Sequence, residues 1–465
     1  MKKATYLGPR VKRLRRELGL TQAQLAADLG ISAPYVALIE RNQRPVTADL
    51  LLRLAATYRL DLSALASGGA EDDETRLATV LRDPLLGEVD VPTIELRDVA
   101  ANYPGITEAM VRLHAALGER TLALANAEAG LGEIAARDPV AQAQHFIAAR
   151  RNCFPALDEA AEELGARVEA AGGMEAYLTQ RFEIRVRTLP PDVMMGAQRR
   201  YDRHREELWI DETLDGASHR FQVALQLAWL ALKGPIEAAM RGTEMLGEEA
   251  RVLIRRALGG YAAAALRLPY AAFARDAEAS SYDLERLARR WGASFEQVAH
   301  RLTTLQKPGA THVPFFFLRV DIAGNVSKRL DGAGFPFARH GGACPLWNVH
   351  AAFREPRRIL TQWLELPDGK RFFSIARTVT SGGGRHGAPF VERVVALGTA
   401  ANEAHRLIYT RGEGAPDPER PTPIGITCRL CDRTQCPARA YPPLGRALLP
   451  DDSYRGSTPW SFAEG

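Results

Sequence analysis

Three cysteines crowd into the C-terminal stretch Cys428-x2-Cys431-x4-Cys436-Pro437. Three thiolates on a tight loop, with Cys344 as a fourth ligand, suit an iron–sulfur cluster or a zinc ion. A cluster would admit redox input, whereas zinc would only hold the terminus. The plainer alternative is three reduced thiols in a stabilised loop. Cys153 stands alone and reads as a small buried apolar residue. His350 and His405 have ligand chemistry too, but lone histidines more often serve the structure. A second stretch is Arg199-Arg-Tyr-Asp-Arg-His-Arg205, the densest basic–aromatic run in the chain. Its strong donors around Tyr201 suit phosphate groups. The alternative there is a solvated hairpin turn. The Ser381-Gly-Gly-Gly loop lacks the Lys of a phosphate loop and simply turns the chain.

These residues sit in a chain of 465, long enough for two to four domains with ample core. Hydrophobic residues make up 46% and charged residues 25%, the balance of a globular protein. No uninterrupted apolar run reaches about 18 residues, so no membrane span is expected. Met1-Lys-Lys-Ala-Thr5 leads into no apolar segment, so no secretory signal is expected either. Five cysteines, three of them clustered, do not read as a disulfide framework, which points to a reducing cytoplasmic location. The net charge of +4 is unevenly spread. Residues 1–67 hold 11 Lys/Arg against 5 Asp/Glu, and the remainder is slightly acidic. A positive N-terminus suits a polyanionic partner.

The first 67 residues read as five short helices. Val11, Leu14 and Leu18 line one face, and Gly19 ends that helix. Thr21 with Gln24 forms a capping box for a helix through Leu25, Ala26 and Leu29. Ser32 caps a third, with Pro34 tolerated in the first turn. Pro45 and Thr47 open a fourth, carrying Leu50, Leu51 and Leu54. Two short helices joined by a Gly-containing turn in a basic bundle define the helix-turn-helix. Through Thr21-Gln-Ala-Gln-Leu-Ala26 and Ile39-Glu-Arg-Asn-Gln-Arg-Pro45 the sequence closely resembles the phage-repressor-like (XRE) family, which implies binding to double-stranded operator DNA. The groove-facing candidates are Ala33, Pro34, Tyr35 and Ala37, nearly devoid of side chains that read base edges. Thymine-methyl contacts and DNA shape are therefore expected to carry more of the specificity. Gln22, Arg41, Asn42 and Arg44 are placed to grip phosphates.

Ser67-Gly-Gly-Ala followed by Glu71-Asp-Asp-Glu reads as a flexible acidic linker, and residues 76–178 as a mostly helical, Ala-rich region that spaces the DNA-binding heads or helps pair two chains. From Arg181 the texture changes. Phe182-Glu-Ile-Arg-Val and Leu208-Trp-Ile-Asp alternate like strands. Helices follow from Arg220 to Leu232 and from Glu248 to Leu266, with Ser294 capping another. This order, with Arg220-Phe-Gln-Val-Ala224 and Ala262-Ala-Ala-Ala-Leu-Arg-Leu-Pro269, resembles the zinc-peptidase-like domain of the ImmA/IrrE group. A zincin needs His-Glu-x-x-His on a helix. The matching positions hold Leu225, Gln226 and Trp229, and neither His219 nor Gln222 replaces them in register. Proteolysis fails on this chemistry. A concave domain without its metal suits ligand sensing, the alternative being a packing module. The ligand-binding candidates are Arg185, Arg200, Tyr201, Arg203 and Tyr261.

Val313-Pro-Phe-Phe-Phe-Leu-Arg-Val320 reads as a buried strand, with further strands at Arg371–Ala376 and Val391–Leu397. The strings from His300 to Ala310, Phe335-Pro-Phe-Ala-Arg339, Gly342-Ala-Cys-Pro-Leu-Trp-Asn-Val-His350 and Ile424 to Pro443 resemble the short-chain fatty acyl transcriptional regulators. That resemblance implies a regulator that senses short-chain acyl-CoA, such as propionyl-CoA, and controls genes for its catabolism or for the glyoxylate route. After Val394-Val-Ala-Leu-Gly398, Thr399 stands where many relatives have Cys, so any role tied to that thiol is absent.

The expected fold is multidomain, mainly α with α+β. It comprises a five-helix DNA-binding bundle (1–67) and an acidic linker with a helical spacer (68–178). A zincin-like α+β domain without its zinc motif (179–310) and a small α+β C-terminal domain (311–465) follow. The expected function is that of a homodimeric transcription regulator, not an enzyme, with acyl-CoA as effector. Its rivals are a redox or metal sensor working through the cysteines, and a disfavoured metalloprotease that cleaves a partner repressor. Arg44→Ala is expected to weaken binding to all DNA sequences and to flatten the salt dependence in a titration; a loss confined to one sequence would contradict the phosphate role.

Overall fold

A computed structural model describes residues 11–12, 15, 20–41, 43–58, 70–81, 86, 91–126, 138–337, 343–383, 386–388, 390–412, 414–431, 433–444, 446–451, 453, 456, 458 and 460–462. The chain divides into two compact units, one of Met1–Leu122, Leu444–Pro450 and Ser461–Gly465, the other of Ala123–Pro443 and Asp451–Trp460. Parts of the expected first helix, most of the expected fifth, and Asn42 lie outside the described residues.

In the first unit, α1 (Gln22–Asp28), α2 (Ala33–Glu40) and α3 (Ala48–Tyr58) surround Leu25, Leu29, Val36, Ile39, Leu50 and Leu54. The Thr21 capping box is formed on both sides: Gln24 N donates to Thr21 Oγ1, and Thr21 N donates to Gln24 Oε1. Ser32 occupies the N-cap of α2, but its side chain makes no capping bond, so that expectation is corrected. Glu40, 7% exposed at the end of α2, accepts from Arg15 Nε at 2.6 Å and from Gln22 Nε2 at 2.7 Å. Burial alone would raise its pKa. The bonds from Arg15 and Gln22, with the Arg15 charge, outweigh burial and hold the carboxyl below its ordinary range.

The expected flexible linker is also corrected. Helix α4 (Ala70–Leu81) begins inside it, because Glu71, Asp72 and Asp73 stand where the positive end of a helix dipole favours acidic residues. Helices α5 (Thr93–Asn102) and α6 (Pro104–Asn126) follow, with Arg76 paired to Glu108 and Arg97 to Glu74.

The second unit starts with α7 (Pro139–Ala148), α8 (Pro155–Ala170) and α9 (Met174–Phe182). Phe182 therefore ends a helix rather than opening a strand. Glu183 takes a left-handed conformation (φ 61°) that closes α9, and β1 (Arg185–Leu189) begins two residues on. After α10 (Pro191–Met194), β2 (Arg199–Asp202) and β3 (Glu207–Asp211) complete a sheet of order β1-β3-β2, with β1 parallel and β2 antiparallel to β3. Helices α11 (Gly216–Ala231), α12 (Lys233–Ala239) and α13 (Glu248–Arg267) bury Leu227, Ile254, Leu258 and Ala262 against Leu157, Leu164, Leu208 and Ile210.

Helices α14 (Tyr270–Ala279), α15 (Leu284–Trp291) and α16 (Phe295–Leu302) come next, then a hairpin of β4 (Gln306–Lys307) and β5 (Ala310–Thr311). The six-stranded sheet has β6 (Phe316–Asp321), β7 (Val326–Leu330), β8 (Leu360–Glu365), β9 (Arg371–Gly382), β10 (Phe390–Ala400) and β11 (Thr422–Pro423) in the order β11-β8-β9-β10-β6-β7. Both of its faces are covered. Phe317, Phe373, Ile375 and Val395 pack on Phe273, Leu287 and Val298, while Phe316, Leu318, Phe372 and Val394 pack on Phe335, Trp347 and Val349. Double coverage explains why the run from Val313 reads as continuously apolar. The strand itself starts later than expected, at Phe316. A Cβ at Gly398 would meet the Phe316 ring at 2.2 Å and the Phe373 carbonyl oxygen at 2.6 Å, so glycine is what lets β10 lie this close.

The two lobes of this unit meet at a buried ion pair. Arg301 of α16, fully buried, donates through Nη2 to Asp158 Oδ1 of α8 at 2.8 Å, through Nε to the Leu268 carbonyl at 2.9 Å and through Nη1 to Thr304 Oγ1 at 3.1 Å. The Tyr261 hydroxyl donates to the other Asp158 oxygen at 2.6 Å and accepts from Phe154 N at 3.1 Å. Tyr261 and Tyr270 lie about the guanidinium, 5.6 and 5.8 Å from ring centre to Cζ.

Asp158→Ala leaves that guanidinium buried without a countercharge and is expected to cost about 3–5 kcal/mol in urea unfolding; a loss near zero would show that the pair is dispensable. Glu40 yields a pH prediction. A carboxyl whose folded pKa is depressed contributes stability above its unfolded value, about 4.3, and loses it on further acidification. The helix-turn-helix should therefore weaken below about pH 4.3, and Glu40→Gln should flatten that acid limb in a melting series; an unaltered limb would contradict the role given to the carboxylate.

Candidate functional site

The second unit holds a cavity of about 970 Å³ walled by α11, α13, α16 and the β6–β7 ribbon. This is the size of a cavity for a large small-molecule ligand. Its apolar wall includes Phe221, Leu225 and Trp229. Leu225 and Trp229 are the i and i+4 positions at which a zincin would place its histidines. The Trp229 ring fits because residue 259 is glycine: a Cβ there would sit 2.4 Å from Trp229 Cζ2. The general-base position holds Gln226, whose Oε1 accepts from Arg199 Nη1. The surface a peptidase would use for metal is thus an apolar wall closed by an amide–guanidinium bond.

The charged lining is cationic. Arg199, Arg256, Arg267, Arg319 and Lys328 face the cavity together with one carboxylate, Glu296, which Arg319 Nη1 meets at 2.8 Å. Arg267 donates to the carbonyls of Ala217, Trp291 and Gly292, and burial with Arg220 nearby lowers its pKa to about 10. Burial, aided by Lys328, Arg301 and Arg319, pushes the His300 pKa well below its ordinary value. Asn152 on the same lining donates through Nδ2 to the Asp331 carbonyl, while its buried Oδ1 has no partner among the described residues. An unpartnered buried acceptor on a cavity wall is a ready contact for a ligand donor.

Of the five residues expected from the sequence to contact ligand, only Tyr261 lines this cavity. Arg185 lies 3.4 Å from Glu207, Arg200 packs over the Trp209 ring, Tyr201 packs on the helical core, and Arg203 is exposed in the turn after β2. Strand alternation explains the split, because Arg199 and Arg200 point to opposite faces of β2. The cavity cations escaped sequence reading because they are scattered from β2 to β7.

The four cysteines Cys344, Cys428, Cys431 and Cys436 line one narrow cavity. Buried Arg439 braces the loop with bonds to the carbonyls of Cys428, Cys431, Arg433 and Tyr441. Burial pushes the Cys344 and Cys431 thiols up. All five cysteines are free, and among the described residues no three His, Cys, Asp or Glu side chains converge into a metal-holding group. The four sulfurs are the right kind of donor for a soft metal or cluster. His350 bonds the Ala343 carbonyl and His405 the Asn402 carbonyl, so both serve the structure. Thr399 is buried and donates to the Pro314 carbonyl at 2.7 Å.

On α2 of the first unit, Pro34 is exposed, Ala33, Tyr35 and Ala37 are half-buried, and Arg41 and Arg44 just beyond the helix are exposed. Gln22 gives its amide to Glu40, a tie between α1 and α2 that spacing did not reveal. Among the described residues no helix is long and apolar enough to cross a membrane.

Residues 11–65 match the helix-turn-helix family, residues 179–303 the IrrE N-terminal-like domain, and residues 304–460 the short-chain fatty acyl coenzyme A regulator C-terminal domain. The chain is 38% identical over 471 residues to the HTH-type transcriptional regulator RamB of Mycobacterium tuberculosis, covering 98% of each protein. It is 37% identical over 475 residues to the propionyl-CoA carboxylase regulator of Cereibacter sphaeroides, covering 100% of both. A solved structure described as a Mycobacterium tuberculosis transcriptional regulator matches with a TM-score of 0.65 at 37% identity, over 70% of this chain and 99% of that one. Helix-turn-helix head, IrrE-like middle and C-terminal domain thus occur together along matched full-length chains, and the protein belongs to the short-chain fatty acyl-CoA family of helix-turn-helix transcriptional regulators.

Proposed function

We propose that this regulator senses a short-chain acyl-CoA in the cavity of its second unit, and that occupancy changes how its helix-turn-helix holds operator DNA. The observation that carries this reading is the lining: several cations, one carboxylate already paired, an unpartnered acceptor at Asn152, and an apolar wall at the former metal positions. A coenzyme A thioester brings the complement of each, namely phosphates, amide N–H groups and a short apolar acyl chain. The description of the C-terminal family and the name of the Cereibacter sphaeroides relative agree with it. The genes controlled would then be those of short-chain acyl-CoA metabolism, and the protein would work in the cytoplasm with its operator. No peptidase chemistry is proposed, since Leu225, Gln226 and Trp229 supply neither zinc ligands nor a base.

Pairing of two chains would let two heads reach two half-sites. On α6, Ile106 is 53% exposed, Leu113 70% and Leu117 45%. Their spacing of seven and four residues is that of a helix–helix seam, and it supports a homodimer. A second input is favoured by the four cysteines around one cavity. Cys344, Cys428, Cys431 and Cys436 would hold an iron–sulfur cluster or zinc, which would supply redox sensitivity or fix the C-terminal loop.

Thermal unfolding with propionyl-CoA, acetyl-CoA, free CoA and no ligand tests the proposal. Ligand at 100 times its Kd should stabilise the fold by about 2.7 kcal/mol. A propionyl-CoA shift well beyond that of free CoA is expected. No shift with any thioester, alongside DNA binding that responds to chelation or oxidation, would instead assign the sensing to the cysteines.

A further inference from the structure

Among the described residues Lys328 differs from the other half-buried cations of the cavity. Arg319 is held by Glu296 and by Ser327 Oγ, Arg199 holds Gln226, and Arg267 is bound to three carbonyls. The Lys328 amine, on β7 and directly across the ladder from Arg319, makes no hydrogen bond or ion pair among the described residues; its Nζ lies over the Phe317 ring, 5.7 Å from the centre. The charged or titratable groups facing it are Glu296 and His300 of α16 and Arg319 of β6. Burial first, with Arg319 adding to it against the opposing Glu296, lowers its pKa to about 8. At pH 7 roughly a tenth of such an amine is uncharged, far more than for an exposed lysine with a pKa of about 10.4.

Two observations bring a thioester to this wall. Asn152 is tied to the Asp331 carbonyl, one residue beyond β7, so its unpartnered Oδ1 sits beside the ribbon that carries Lys328. An amide N–H of a pantetheine arm is the donor such an acceptor lacks. Arg256, by contrast, is exposed on α13 and suits the solvated phosphate end. The geometry points to Lys328 as an acyl acceptor: its Nζ attacks the carbonyl carbon of the bound acyl-CoA, and the acyl group passes to the lysine. The carbon–sulfur bond breaks as the carbon–nitrogen bond forms. The thiolate of CoA leaves, the proton shed by nitrogen ends on that thiol, and the products are N-acyl-lysine and free CoA. No oxidant, reductant or second substrate is required. The inference rests on the acyl-CoA reading above, and it adds a covalent record of occupancy, since acylation removes the Lys328 charge from the cavity.

The test incubates the full-length protein with propionyl-CoA and follows intact mass, peptide mapping and melting temperature together. One propionyl group should appear on Lys328, with a rate that saturates in propionyl-CoA and exceeds that at exposed Lys12 and Lys233 by about tenfold or more, as a bound reactant pair should. The rate should rise roughly fivefold between pH 7 and pH 8 as the amine deprotonates. Lys328→Arg should lose the adduct. Propyl-CoA, a thioether without a carbonyl, should shift the melting temperature of the unaltered protein and protect Lys328, which keeps the test intact if the variant misfolds. A thermal shift with Lys328 unmodified, or modified no faster than Lys12 and Lys233, would overturn the inference and leave Lys328 as an anion contact. Absence of both shift and adduct would overturn the acyl-CoA reading with it.

Discussion

Asp158 and Arg301 lie 143 positions apart, and their contact is fully dry on both sides. Removing two charges from water is costly, and the arrangement stands because nearly every donor and acceptor is met: Tyr261 takes the second carboxylate oxygen, and Leu268 and Thr304 take the remaining guanidinium edges. A network of this kind tolerates little displacement. It fixes α16 against α8 and α13, and so sets where Glu296, Gln297, His300 and Thr304 stand on the cavity wall. The same tyrosine that closes the network also lines the cavity, so cavity wall and fold share one support.

The middle domain matches the IrrE N-terminal-like domain, and the positions where the sequence places a zinc motif hold Leu225, Gln226 and Trp229. Helix α11 still presents i and i+4 side chains to a concave space, but they are leucine and tryptophan, and the glycine at 259 admits the larger ring. Loss of the metal ligands leaves a space bounded by apolar groups on one side and cations on the other. On the proposed function, such a space would select by shape at its apolar end and by charge at its polar end, as a short acyl chain on a phosphorylated carrier requires.

Much of this was legible in the residues. The capping box at Thr21, the cap at Ser294, the described helices of the head, the missing zinc motif and the C-terminal cysteine trio follow from residue types at fixed offsets; the structure forms both caps, and Cys344 lines the same narrow cavity as the trio. What escaped is what depends on distance along the chain. Local density drew attention to Arg200 and Arg203, whereas the cavity gathers its lining from seven elements, α7, β2, α11, α13, α16, β6 and β7, far apart along the chain. The acidic run after Ser67 reads as a linker by composition, yet the same acids favour a helix N-terminus. Lys328 carries no local signal at all. The reactivity proposed for it rests on its half-buried place over the Phe317 ring and on its lack of a hydrogen bond or ion pair among the described residues, which only packing creates.

On the proposed function, sensing in one compact unit and DNA binding in the other are linked only if the ligand binds differently to the DNA-competent and DNA-incompetent states. That link is reciprocal by thermodynamic necessity. The most direct measurement is therefore paired: the Kd of the purified protein for its operator with and without saturating propionyl-CoA, and its Kd for propionyl-CoA with and without saturating operator. The two affinities should change by the same factor, about 5- to 150-fold for a typical coupling. Tight propionyl-CoA binding with operator affinity unchanged would contradict ligand control of the helix-turn-helix.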